Sequence, residues 1–200
     1  MYLYSGPLSG SMAASAYDSS ISGLSWTATG GGETQSPQAL AAAGDTDGDG
    51  YEDLVVGSDG NDSNATDAGA AWLFTGPIAG GLSTTDATAA LYGTTTLDYT
   101  GRAVAGAGDA NGDGLDDLLV GLPGYDPLGA NEGAVLLLYG PLSGSYTTTG
   151  SLPLSAALVG TESNAVFGTT LGGVGDLDAD GFADRFGDAG PQWATCLVFG

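Results

Sequence analysis

Three times in 200 residues the chain runs an acidic, glycine-bearing loop straight into an apolar segment. The copies read AGDTDGDGYEDLVVG (43–57), AGDANGDGLDDLLVG (107–121) and VGDLDADGFADRFG (174–187). They begin at Asp45, Asp109 and Asp176, spaced 64 and 67 residues apart. A period of this size marks a supersecondary unit that is stacked rather than a fold built once. Two further markers keep the same phase. One is YSGPLSG (4–10), FTGPIAG (74–80) and YGPLSG (139–144), and the other is ATAALYGT (87–94) against SAALVGT (155–161).

Each repeat reads as four short strands. In the second these are ATAALYG, GRAVAGAG, DLLVGL and GAVLLLYG, all rich in small, branched or aromatic residues and bounded by Gly, Pro, Asp or Thr. No segment sustains an apolar 3.6-residue period with helix caps. The expectation is an all-β chain of β-propeller type, with three four-stranded blades plus one extra N-terminal strand. Residues 1–10 would be the last strand of a preceding blade, followed by repeats at 11–80, 81–144 and 145–200. The third repeat is degenerate after its acidic loop, where Arg185 replaces Leu and the path to the last strand shortens. Closed propellers have about four to eight blades, so the expected form is partial or open, or a ring completed by other copies.

The loops carry the chemistry. Positions 1, 3, 5 and 9 are Asp45, Asp47, Asp49 and Asp53; then Asp109, Asn111, Asp113 and Asp117; then Asp176, Asp178, Asp180 and Asp184. Eleven of the 24 acids stand at these positions, which separates ligation from a generally acidified surface. Alternate spacing turns three side-chain oxygens toward one centre, and Gly50, Gly114 or Gly181 at position 6 permits the sharp turn. Carboxylates gathered within a few ångströms repel one another, and a divalent cation turns that repulsion into binding. An all-oxygen set without His or Cys points to Ca2+, about three ions in all, rather than zinc or copper. Backbone carbonyls at position 7, of Tyr51, Leu115 and Phe182, would complete the sets. These are not EF-hand loops. Position 12 is Val56, Val120 or Gly187 instead of a bidentate Glu, and strands replace the flanking helices.

These residues resemble the FG-GAP repeats of integrin α-subunit β-propellers and related bacterial surface proteins. The best match is YTGRAVAGAGDANGDGLDDLLVGLPGYDPLGANEGAVLLLYGP in the second repeat. The "FG" element is Phe167–Gly168 in the third repeat, Thr100–Gly101 in the second and Ser36–Pro37 in the first, and "GAP" becomes Gly121-Leu122-Pro123. The resemblance implies blades, calcium ligands at the positions named above, and an extracellular or cell-surface, usually non-catalytic, role.

Composition narrows the partners. Two arginines face 24 acids with no His, a net charge of −22, so nucleic acid and anionic membranes are poor partners. No apolar stretch approaches the roughly 20 residues needed for membrane insertion as a helix. Without His or Lys, and with Cys196 alone in an apolar run, the usual nucleophile–base pairs are missing and the expectation is no enzyme. The pairs Glu52/Asp53 and Asp116/Asp117 are poor glycosidase candidates, because one member of each is already assigned to a loop. Trp26, Trp72 and Trp193 read as inter-blade packing, and the sequons at Asn61 and Asn64 as an exposed loop. The reading is a calcium-binding adhesion or recognition module for a protein or glycan ligand. The alternatives are a structural subunit that adds further copies of itself through edge strands, and an accessory propeller of a secreted hydrolase.

Overall fold

The computed structural model describes residues 2–3, 19–22, 26–27, 34–35, 38–126, 131–150, 154–187 and 196–198. Its strands, in chain order, begin with β1 (Tyr2–Leu3), β2 (Ser19–Ser22), β3 (Trp26–Thr27), β4 (Thr34–Gln35), β5 (Ala39–Gly44) and β6 (Asp53–Ser58). Next come β7 (Ala70–Phe74), β8 (Gly80–Ser83), β9 (Ala89–Tyr92), β10 (Val104–Gly108), β11 (Asp117–Leu122) and β12 (Ala134–Leu138). The series ends with β13 (Gly144–Thr147), β14 (Leu154–Val159), β15 (Leu171–Gly175), β16 (Asp184–Gly187) and β17 (Cys196–Val198). One 3-10 turn, Thr84–Asp86, interrupts an otherwise all-β chain among the described residues.

Sheet membership follows the repeats. β5, β6, β7 and β9 form an antiparallel blade, here blade A, and β10, β11, β12 and β14 form blade B. β15, β16 and β17 make a third antiparallel sheet in the same sense. The strand expected to open the second repeat, ATAALYG, is instead the outer strand of blade A, paired through β9 with β7. The strand expected to close it, GAVLLLYG, is third in blade B, and β14 is the fourth. The strands were foreseen, but their grouping is shifted by one.

A second feature links the repeats. After its third strand, each of blades A and B sends a short strap back to the preceding sheet. β13 lies parallel against β9, and β8 parallel against β2.

Blades stack face to face, so their middle strands are apolar on both sides. β11 and β12 are buried along their whole length, and so is β7. Period 2 sorts their residues: Leu118, Val120 and Leu122 join Val55, Leu73 and Leu91 of blade A in one cluster. Leu119 faces the other way with Val135, Leu137 and Phe167. Trp72 and Phe74 fill the far side of blade A, Trp72 meeting Tyr92 edge-on at 6.1 Å between ring centres. Trp26 and Trp193 lie outside the residues whose side chains are described.

The first strands of successive blades, β5, β10 and β15, run side by side and are made of Ala, Gly and Val apart from Leu40 and Leu171. Gly173 shows why: a Cβ there would stand 2.3 Å from the Gly106 carbonyl oxygen. The "FG" glycines make the same kind of joint further out. Gly101 packs its carbonyl on Gly57 and Gly168 on Gly121, each 2.0 Å from where a Cβ would be.

Candidate metal centre

The three acidic loops join the first and second strands of successive sheets and so lie at one end of the stack. In the first loop the Asp45 carboxylate is caged by its own backbone. Oδ1 accepts the Gly48 and Asp49 amides at 2.8 and 3.0 Å, and Oδ2 accepts Gly50 at 3.0 Å. Asp47 Oδ1 accepts the Asp49 amide and Asp49 Oδ1 the Tyr51 amide. Local Asx-type bonds of this kind wind the loop and fix the side chains at positions 1, 3 and 5 on its inner side.

The second loop repeats the pattern. Asp109 accepts Gly112, Asp113 and Gly114; Asn111 accepts Asp113; and Asp113 accepts Leu115. In the third, Asp176 accepts Asp180 and Gly181, Asp178 accepts Asp180, and Asp180 accepts Phe182. Gly50, Gly114 and Gly181 have φ of +88°, +90° and +97°, so position 6 needs glycine.

Carboxylate oxygens converge as a result. Those of Asp45, Asp47 and Asp49 lie within 4.8 Å of one another, and so do those of Asp176, Asp178 and Asp184. In the second loop Asn111 takes one acidic place, and its amide donates to Asp113 Oδ2 at 2.9 Å. Among the described residues the ion pair is Arg102–Asp59, made away from the loops. The Asp47 carboxyl is held above its ordinary value by desolvation first. The Asp49 amide opposes this, and Asp49, Asp53 and Asp45 add repulsion.

Position 9 behaves differently. Asp53, Asp117 and Asp184 are 2, 0 and 0% exposed. Asp53 Oδ2 takes the Thr46 amide at 2.9 Å and the Thr46 hydroxyl, and Oδ1 takes the Gly76 amide at 2.9 Å. Asp117 takes the Ala110 and Gly140 amides, both at 2.9 Å. Asp184 takes Leu177 at 2.7 Å. Burial pushes the Asp117 carboxyl up to about 6 against those two amide bonds, with Asp113 and Asp109 adding repulsion. Position 9 is thus the buried root of each loop. It ties position 2 of the loop and, in the first two, the Gly-Pro turn after the blade's third strand. That turn recurs in the sequence as a repeat marker, and its amide is the part that residue pattern alone did not expose.

The loops also interlock. The Asp116 amide donates to the Asp45 carbonyl at 3.0 Å, and the Ala183 amide to the Asp109 carbonyl at 3.1 Å. Asp116 Oδ2 additionally accepts the Asp45 amide at 2.8 Å. Asp116 and Asp117 therefore have separate backbone tasks, one on each side of the chain. The position-7 side chains Leu115 and Phe182 come against Gly48 and Gly112 of the preceding loop, while Tyr51 is 54% exposed.

The first two loops and the strands that flank them match the FG-GAP repeat family over residues 36–74 and 100–138. The chain is 33% identical to integrin alpha pat-2 of Caenorhabditis briggsae over 151 residues, covering 72% of this chain. It is built of FG-GAP repeats. Integrin alpha-IIb of Mus musculus is 32% identical over 148 residues, again 72% of this chain. The FG-GAP chain spans 12% of the nematode relative's length and 14% of the mouse one's. Its third acidic loop lies beyond the two matched FG-GAP stretches, yet repeats their amide bonds from positions 5, 6 and 7 and from position 2.

At the opposite strand ends, FG-GAP blade B and its successor frame a cleft of about 370 Å3 lined by Tyr99, Arg102, Pro123, Asn131, Val166 and Thr169. Arg102 pairs with buried Asp59 at 2.5 Å on its far side. Asn61, one of two sequon asparagines, is 1% exposed, so that part of the loop is packed rather than open. Asn64 is exposed and donates its side-chain amide to the Gly93 carbonyl at 3.0 Å.

Proposed function

We propose that the chain is a non-catalytic, calcium-stabilised recognition module acting outside the cell or at its surface. The ligands are Asp45, Asp47, Asp49, the Tyr51 carbonyl and Asp53; Asp109, Asn111, Asp113, the Leu115 carbonyl and Asp117; and Asp176, Asp178, Asp180, the Phe182 carbonyl and Asp184. The observation that carries this is the self-caged Asp at position 1 in all three loops, with further carboxylates gathered against it in the first and third. Such a donor set suits a hard divalent ion, which would supply the missing positive charge and nothing redox or acid–base. Three divalent ions would bring the formal charge from −22 to −16.

At millimolar calcium a site with a Kd near 10⁻⁴ M adds roughly 1.4 kcal/mol, so three add about 4 kcal/mol. That is a large share of a net stability of about 5–15 kcal/mol. Calcium is a staple here rather than a signal. Kinship with integrin α-subunits, which belong to adhesion receptors, supports a protein or glycan partner. The cleft beside Arg102 and Tyr99, remote from the ion loops, is the surface offered to it.

Thermal melting tests the reading. Calcium at 1 mM should raise Tm by about 8–16 °C over the chelated protein. Magnesium, which demands a tighter octahedral shell, should raise it far less. Equal melting in calcium and chelator would refute the proposal.

A further inference from the structure

Across positions 1, 3, 5 and 9 of the three loops, one residue is not an acid: Asn111 stands where the first and third loops have Asp47 and Asp178. Gly112 follows it, and Asn-Gly occurs nowhere else in the chain. The other four asparagines, Asn61, Asn64, Asn131 and Asn164, precede Asp62, Ala65, Glu132 and Ala165. The pairing matters because asparagine is chemically labile: the next residue's backbone nitrogen closes a five-membered ring on its Cγ. A side chain on that next residue obstructs the approach, and glycine has none.

Packing keeps position 112 small. Position 4 is left-handed in every loop, with φ of +80° at Gly48, +77° at Gly112 and +62° at Ala179. Ala179 shows that the turn alone tolerates a methyl group. At Gly112, however, a Cβ would stand 2.9 Å from the Phe182 ring of the third loop. The joint between loops therefore sets a glycine beside the asparagine. Neighbouring polar groups complete the arrangement. The Gly112 amide donates to Asp109 Oδ1 at 2.7 Å, so the nitrogen faces a proton acceptor. Asn111 Nδ2 donates to Asp113 Oδ2 at 2.9 Å, and Asn111 Oδ1 accepts the Asp113 amide at 2.8 Å. Asn111 is half-buried while Gly112 and Asp113 are exposed, so water reaches the turn.

We propose that Asn111 is a calcium-guarded site of self-deamidation. The Gly112 nitrogen bonds to Asn111 Cγ, and its proton passes to Asp109. The Cγ–Nδ2 bond then breaks, and the side-chain nitrogen takes up that proton and leaves as ammonia. Water opens the resulting succinimide. Opening at Cγ yields an aspartate at position 111, and opening at the main-chain carbonyl yields an isoaspartate. The net reaction consumes one water and releases one ammonia, with nothing oxidised or reduced. The guard rests on the calcium reading proposed above; the reactive turn does not. Held as a ligand, Asn111 is kept from turning its Cγ toward the Gly112 nitrogen. Without the ion, repulsion between Asp109 and Asp113 loosens the loop and frees that motion. Either product alters the second loop permanently. Aspartate supplies the carboxylate that the other loops have, whereas isoaspartate adds a main-chain carbon between Asp109 and Asp113 and opens the cage.

Peptide mapping by mass spectrometry, on the whole chain aged at neutral pH in heavy-oxygen water, tests this. In chelator Asn111 should lose its amide at least about tenfold faster than any of the other four asparagines. Heavy oxygen at position 111 marks the conversion as hydrolysis during ageing. Millimolar calcium leaves a site with a Kd near 10⁻⁴ M empty about one-eleventh of the time, so the rate should fall about tenfold. Asn111→Gln, whose ring needs one more atom, should lose its amide at least about tenfold more slowly than Asn111 in chelator. Calcium titration of the aged chain should differ from that of the fresh chain at one site. The proposal is overturned if Asn111 converts no faster than the other asparagines or the Gln variant in chelator, or if aged and fresh chains titrate alike. A rate that calcium leaves unchanged overturns the guard alone where calcium still raises Tm, and overturns the calcium reading with it where Tm is unmoved.

Discussion

The first and second acidic loops share one backbone and differ in its support. Thr46 in the first gives Asp53 a hydroxyl as well as an amide, whereas Ala110 in the second offers Asp117 the amide alone. At position 3 the first loop has Asp47 and the second Asn111, so the second gathers one carboxylate fewer. The lesson is a division of labour. Half-buried to exposed positions 1, 3 and 5 make a charge trap, while buried position 9 ties the trap to the blade. Both tasks fall to aspartate, for different physical reasons.

Substitution can break that division. Asp53→Ala strands the Thr46 and Gly76 amides and the Thr46 hydroxyl, at a cost of about 3 kcal/mol in urea denaturation with chelator present. Asp117→Ala should cost less, because it strands two donors and removes a carboxylate that burial already disfavours. Asp49→Ala, at the exposed mouth, should cost under about 1 kcal/mol in chelator and show its effect only when calcium is added. Equal losses at the mouth and the root would erase the distinction.

Thr46→Ala sharpens it. Removing the hydroxyl should cost about 1 kcal/mol and bring the first loop to the state of the second. Asn111→Asp goes the other way: the added carboxylate should tighten calcium at the second loop by about three- to tenfold in a titration, and lower Tm slightly in chelator.

The smallest effect lies away from the loops. Burial holds the Asp98 carboxyl above its ordinary value against its Thr95 hydrogen bonds, with Asp126 adding repulsion. Its ionised form is therefore disfavoured in the folded chain. Stability from this group is intact below the unfolded pKa of about 3.9 and falls as pH rises through the folded one. Asp98→Asn should raise Tm at pH 7 by less than about 4 °C and leave it unchanged near pH 3.5.

The loops were legible in the sequence because their winding is local: the amide bonds to the side chains at positions 1, 3 and 5 span five residues or fewer. Blade grouping was not. A strand such as 89–92 carries the same period-2 pattern whichever sheet it joins, and its partners lie at 70–73 and 144–147. The Gly-Pro marker was visible as a repeat, but its amide bond to position 9 spans 23 residues in both blades. Burial of Asn61 likewise depends on packing that no local pattern reports.

The central claim is that these loops are calcium cages, and a crystal grown in millimolar calcium tests it most directly. Anomalous density should place an ion in each of the three loops, about 2.3–2.6 Å from oxygens of positions 1, 3, 5, 7 and 9. Well-ordered loops holding only water under those conditions would contradict the account.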